Sequence, residues 1–162
     1  MKYADCPTVE VDIHIAASPA EVWRWVTDID LPARFSREFQ GASWVDGGPA
    51  LGAKFVGRNE HPAIGQWETP CEVVAYEPER LFAWDVRLGD GQPSSSWRFE
   101  LAPDGEGALL RQWARMGPAR SGLSYAIDAM PEKEERIVAK RLEEFRANML
   151  ATVEGIKKLA EG

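Results

Sequence analysis

The sequence predicts an α+β fold in which a curved antiparallel sheet of about seven strands wraps a long C-terminal helix, with two short helices after the first strand. Three observations predict it. Val9, Val11, Ile13 and Ile15 alternate with Glu10, Asp12, His14 and Ala16, and a period of two is a half-buried strand. Between Gly41 and Met116, turn-forming groups recur too closely for parallel crossovers, which need a dozen or more residues. After Pro131, apolar residues return at steps of three and four, the signature of one helical stripe.

Each element follows from local chemistry. After the first strand, Ser18 suits an N-cap, Pro19 the first helical position and Glu21 the return contact of a capping box. A helix from Pro19 to about Thr27 then buries Val22, Val26 and Trp23. Pro32 breaks the chain, and 33–39 reads as a second short helix. Strands are expected near 42–46, 53–60, 66–76, 80–88, 95–102 and 108–116. They are separated by Asp46-Gly47-Gly48-Pro49, His61-Pro62, Glu77-Pro78, Gly89-Asp90-Gly91 and Pro103-Asp104-Gly105. Short helical potential at 124–128 precedes the last element. Pro131 and Glu132, Glu134 and Glu135 suit a helix start, and Lys157 and Lys158 its end. Val138, Leu142, Phe145, Met149, Val153 and Ile156 form the stripe. A helix from 131 to about 160 is roughly 45 Å long, enough to span the domain.

The 162 residues suit one domain, 1–162. Lys plus Arg number 19 against 26 Asp plus Glu, a formal net charge of -7. Such a surface repels phosphate backbones, so no nucleic-acid partner is expected. Cys6 and Cys71 sit in no CxxC or Cys/His cluster and read as thiols of a reducing cytoplasm. Met1 to Pro7 lacks the pattern of a signal peptide, and no segment approaches about 18 consecutive apolar residues, so no membrane span is expected. The expected location is cytoplasmic.

Three stretches carry a family resemblance: Ile15-Ala16-Ala17-Ser18-Pro19-Ala20-Glu21-Val22-Trp23 after the first strand, Leu51-Gly52-Ala53-Lys54-Phe55, and Phe82-Ala83-Trp84-Asp85-Val86. With the element order, they make the chain, from Val9 to Ile156, resemble the helix-grip fold of the START-like (SRPBCC) superfamily. That group includes polyketide cyclase/dehydrase-like proteins, lipid-transfer domains and plant pathogenesis-related allergens. The resemblance is to bacterial members without an assigned substrate. It implies a cavity between sheet and C-terminal helix that binds or carries a small hydrophobic molecule: a lipid, a polyketide or another apolar or aromatic ligand.

Strand parity assigns the cavity wall. Phe55, Gly57 and Asn59 share one face, as do Trp67, Thr69 and Cys71, Phe82, Trp84 and Val86, Trp97 and Phe99, and Gln112 and Met116. The charged residues of those strands take the other face. Phe55, Asn59, Trp67, Thr69, Phe82, Trp84, Phe99, Gln112, Tyr125, Phe145 and Met149 are therefore the expected ligand-binding residues, with Tyr125 capping the entrance. Greasy walls with a few neutral polar groups are the profile of a small-molecule pocket; equally, the polar groups are core side chains satisfied by backbone or water. Asn148 and Thr152 flank the helix stripe as its nearest polar contacts.

No catalytic constellation is read on the inward faces, which by parity carry no carboxylate, His or Lys. His61 is expected to be exposed in a turn, and Asp128 is the carboxylate expected nearest the cavity mouth. No metal-ligand cluster and no cofactor motif is present. Binding therefore ranks first. A cyclase, aromatase or dehydratase is the alternative and needs an acid or base in the cavity. The second alternative is a protein-interaction module around Trp113, which lies between Arg111 and Arg115 and is flanked by arginine stems or covered by the second copy of a homodimer.

Overall fold

The computed structural model describes residues 1–162. Seven strands form one sheet: β1 (Thr8–Ile15), β2 (Phe39–Trp44), β3 (Lys54–His61), β4 (Gly65–Glu77), β5 (Leu81–Val86), β6 (Ser95–Asp104) and β7 (Gly107–Met116). Their order is β1-β7-β6-β5-β4-β3-β2, with every neighbouring pair antiparallel. Three helices complete the chain: α1 (Pro19–Val26), α2 (Gly122–Ala129) and α3 (Glu134–Glu161). The sheet curves around α3, as the hydrophobic periodicities predict.

Local chemistry sets most of the boundaries. Ser18 Oγ accepts the Glu21 backbone N–H at 3.3 Å, which starts α1 with Pro19 in its first turn. The expected second helix over 33–39 is a correction. Only Leu31–Arg34 is helical, as a 3-10 turn. Ser36 Oγ accepts the N–H groups of Glu38 and Phe39 at 3.2 and 3.1 Å. A side chain that captures backbone donors in this way competes with the helix, and Phe39 instead enters β2 opposite Asn59. The start at Pro131 moves as well. Pro131–Lys133 form a 3-10 turn, and the α-helix begins at Glu134.

One irregularity re-aims β4. Val73 lies opposite Trp84 and Ala75 opposite Ala83. Val74 is thus an extra residue, the mark of a bulge, and it is exposed. Beyond it Tyr76 faces inward, its ring 5.8 Å from that of Trp23.

The dry core lies between β1, β6, β7, α1 and the C-terminal half of α3. Ile15, Val22, Leu101, Leu110, Val153 and Ile156 are all at most 2% exposed there. The end of α3 is tied to the sheet by Lys157, whose Nζ donates to the His14 carbonyl at 2.9 Å, and by Glu161, which accepts the Ala16 N–H at 2.8 Å. On the outer face, Arg98 and Arg115 lie over the Trp113 ring, 4.4 and 6.0 Å from its centre. Of the two arginines expected to flank it, Arg115 does so, whereas Arg111 pairs with Glu10 and Arg98 takes the other place.

Gly155 holds the loop before β2 against α3. A Cβ at this position would stand 2.5 Å from the Phe35 ring, closer than atoms pack. Gly155→Ala is expected to lower stability by about 1–3 kcal/mol, the usual range for overpacking, although alanine favours the helix. Urea unfolding checks this, and an unchanged or raised midpoint contradicts the packing argument.

Candidate ligand cavity

Between the concave face of the sheet and the middle of α3 lies a cavity of about 480 Å³. Of its 35 lining residues, 19 are hydrophobic. The ten residues assigned from parity and from the helix stripe line it, Phe55, Asn59, Trp67, Thr69, Phe82, Trp84, Phe99, Gln112, Phe145 and Met149, and so does Tyr125, assigned to the entrance. Tyr125 stands at the rim, 74% exposed, with the Arg120 guanidinium 5.7 Å from its ring centre. Asn148 and Thr152 line the cavity as well.

The wall is a connected aromatic surface. Trp84 and Trp97 are nearly parallel, 8° apart, with centroids at 6.5 Å. Trp84 also meets Phe82, Phe99 and Phe55 at 5.3, 5.9 and 6.0 Å. Across the cavity, Phe145 on α3 reaches Trp97 at 4.9 Å. Such rings offer large, rigid apolar area to a flat guest.

Polar points are few. Asn59 Nδ2 donates to Thr69 Oγ1 at 3.3 Å, and Thr152 Oγ1 donates to the Asn148 carbonyl at 2.9 Å. Gln112 is buried on the floor. Burial pushes the Cys71 thiol up to about 12, against the weaker opposing effect of its hydrogen bond at Thr69. A thiol so far from ionising is no nucleophile at neutral pH.

The expectation of a cavity free of charge is a correction. Asp28, Glu38, Glu68 and Arg141 all line it, Glu68 from the strand face expected to point away. Arg141 Nη1 and Nη2 donate to Glu38 Oε1 and Oε2 at 2.6 and 2.7 Å, a bidentate pair. The two side chains are only 11% and 15% exposed. The Arg141 guanidinium also lies 4.9 Å from the Phe145 ring centre. Burial opposes its charge, but the hydrogen bond and charge of Glu38, aided by Glu144, outweigh that and raise its pKa.

His61 is a second correction. It ends β3 rather than sitting exposed in a turn. Its Nδ1 accepts the Ala63 N–H at 3.0 Å, and its Nε2 lies 2.6 Å from Glu144 Oε2. Because Nδ1 accepts, Nε2 carries the proton and donates it to Glu144. Glu38, Arg141, Glu144 and His61 thus form one chain of contacts joining the β2 entry and the end of β3 to α3. Asp128 does not take the role expected of it: it pairs with Arg120 and is absent from the lining. No group of three or more His, Cys, Asp or Glu side chains comes together as a metal site, and no helix is long and apolar enough to cross a membrane.

Partial burial raises the pKa of Glu144, but the His61 hydrogen bond and the Arg141 charge outweigh it and leave the carboxyl below its ordinary 4.5. A carboxyl whose pKa falls on folding stabilises the protein above its unfolded value, and that contribution is lost as pH drops through the folded value. Wild type is therefore expected to exceed Glu144→Gln in stability near neutrality. The gap should close as pH falls below about 4.5. Urea midpoints measured from neutral pH down to acid test this; a gap that persists unchanged in acid contradicts it.

Comparison with known proteins gives a consistent picture. Residues 7–150 match the profile of a family described as polyketide cyclase / dehydrase and lipid transport. A Polyketide_cyc-like protein from Corynebacterium glutamicum is 32% identical, with 93% of this chain and 88% of that one covered and a TM-score of 0.65. The di-domain ARO/CYC StfQ from the steffimycin biosynthetic pathway is similar in fold at 15% identity and a TM-score of 0.72, over 95% of this chain and 50% of that one. This chain thus spans half the length of that two-domain protein. A protein from Chromobacterium violaceum shares the fold at 17% identity, 96% and 99% coverage and a TM-score of 0.64. None of the curated proteins matches the sequence.

Proposed function

The chain belongs to the polyketide cyclase/dehydrase and lipid transport family, and from that premise we propose that it binds a small hydrophobic molecule, flat and aromatic rather than a flexible acyl chain, in the cavity beneath α3. The observation that carries this reading is the cavity of about 480 Å³ walled by Trp84, Trp97, Phe82, Phe99, Phe55 and Phe145 in mutual ring contact. Ligand pockets of this size and character bury most of a small guest's surface. The eleven residues placed on the wall are the proposed ligand contacts.

A ligand that binds only the folded state stabilises it by mass action, by about 2.7 kcal/mol at a hundredfold excess over its Kd. For a chain of this size that raises Tm by roughly 5–10 °C. A thermal-shift screen of fused-ring aromatics, sterols and fatty acids, followed by native mass spectrometry of the hits, tests the proposal. Fused-ring compounds should give the largest shifts with one molecule bound. Fatty acids as the sole hits would contradict the preference for flat guests, and no hit in any class would contradict the binding reading.

A second reading, an enzyme of the cyclase or aromatase kind, draws support from Glu38, a carboxylate on the cavity wall. Both of its oxygens are held by Arg141, which ties this carboxylate into the contact between the β2 entry and α3. Carriage ranks above catalysis because the connected aromatic wall supports binding directly, whereas Glu38 is held in an ion pair with Arg141. Turnover of a linear polyketide that vanishes in Glu38→Gln while binding persists would reverse this order.

A further inference from the structure

We infer that the guest of this cavity carries a carbonyl oxygen, and that the indole N–H of Trp84 donates to it. This rests on the cavity being a ligand site, and it makes Trp84 the residue that selects among flat guests.

Trp84 stands on β5, the middle strand of the sheet, with three strands on either side. It lines the cavity and is only half-buried. No edge of the sheet lies beside it, so its accessible surface faces the cavity. Its Nε1 donates to no acceptor in the protein, whereas that of Trp97 donates to Ser95 Oγ at 3.1 Å. Nor is the Trp84 nitrogen sealed in. The buried side-chain atoms without a partner are Gln112 Oε1 and the Nε atoms of Arg87, Arg98, Arg111 and Arg115, and Trp84 Nε1 is not among them. It therefore opens onto the space that a guest fills.

The neighbours of the indole explain why it has no partner. They are the rings of Phe82, Phe99, Phe55 and Trp97, at 5.3, 5.9, 6.0 and 6.5 Å, and none of them carries an acceptor oxygen. The hydroxyl of Thr69 accepts from Asn59, and the Thr152 hydroxyl is turned to the Asn148 carbonyl.

An indole nitrogen has a proton to give and no lone pair to offer. An amide can turn to present either its oxygen or its nitrogen, so Asn59 and Asn148 place no fixed demand on a guest. Trp84 does, because only an acceptor satisfies it. Tryptophan N–H groups withdrawn from water usually find a partner. A guest that displaced water without supplying an acceptor would leave this one unpaired, at a cost in affinity. Sites with such a group discriminate against analogues that lack the atom meeting it. A ring carbonyl is an acceptor that keeps a fused frame flat.

The test pairs two probes of one shape, fluorene and 9-fluorenone, which differ only in a methylene or a carbonyl at one ring position. Equilibrium dialysis gives their affinities for wild type, for Trp84→Phe, and for protein carrying 3-benzothienylalanine in place of Trp84. The last keeps the bicyclic ring and exchanges the N–H for sulfur. Melting curves confirm that each protein is folded. The preference for the ketone over the hydrocarbon should fall roughly fivefold in both variants relative to wild type, the scale of one net hydrogen bond. The same preference in all three proteins overturns the inference alone and leaves the binding reading standing, since water would then serve Nε1 beside the guest. A preference lost in Trp84→Phe but kept with the sulfur analogue also overturns it, because ring size rather than the N–H would be setting it. Failure of wild type to bind either probe overturns both this inference and the binding of flat aromatic guests.

Discussion

Replacing Arg141 by methionine is expected to lower stability by about 3–5 kcal/mol, because it strands Glu38 in a largely buried site. The guanidinium supplies two hydrogen bonds to that carboxylate and a third, at 3.5 Å, to Glu144. Water reaches only 15% of the Glu38 side chain, so solvation cannot substitute for them. Removing both charges together, as Glu38→Leu with Arg141→Met, should restore most of the loss. Buried pairs replaced by apolar groups of similar volume are often neutral or stabilising. Urea denaturation of the two single variants and the double variant closes the cycle. Single variants that lose less than about 1 kcal/mol, the range of exposed ion pairs, would show that the pair is solvent-screened and does not anchor the β2 entry to α3.

The second large effect concerns occupancy. Asn148 lies on α3, half-buried, and lines the cavity beside Phe145 and Met149. Asn148→Phe adds a ring to the space a guest needs while keeping the helix. Binding of a fused-ring ligand should weaken by at least about a hundredfold, corresponding to roughly 2.7 kcal/mol. The unliganded Tm should stay the same or rise, because the ring fills apolar space. Unaltered affinity in this variant would place the guest elsewhere.

These two predictions draw on different parts of the sequence, and the parts were not equally legible. The wall was readable because a strand alternates its side chains with a period of two. Once Phe82, Trp84 and Val86 were seen to share a parity, Asp85 and Arg87 had to face out, and the same reasoning placed Asn59, Thr69 and Gln112. The rule breaks where register breaks. The bulge at Val74 turns Tyr76 inward, and no turn residue announces it.

The charged chain was unreadable for another reason. Its members stand at 38, 61, 141 and 144, and each sits in a local pattern that reads as solvent-facing. Arg141 lies just off the apolar stripe, and its long side chain turns back over Phe145 to reach Glu38. Only the curvature of the sheet brings the β2 entry and the end of β3 to the same stretch of α3, and curvature is a tertiary property. The misread helix at 33–39 belongs with this. Ser36 had the chemistry to end it, but a serine that caps the following N–H groups looks, in sequence, like any serine in a polar helix.

The aromatic cavity is proposed to hold a guest. The most direct measurement is a titration of the intrinsic tryptophan emission with pyrene, on wild type and on Asn148→Phe. Trp84 and Trp97 form the wall, so a bound flat ring should quench the emission in a saturable manner with one site per chain, and the variant should lose that saturable phase. Quenching that rises linearly without saturation, or that is the same in both proteins, would contradict the claim that the space beneath α3 is a binding site.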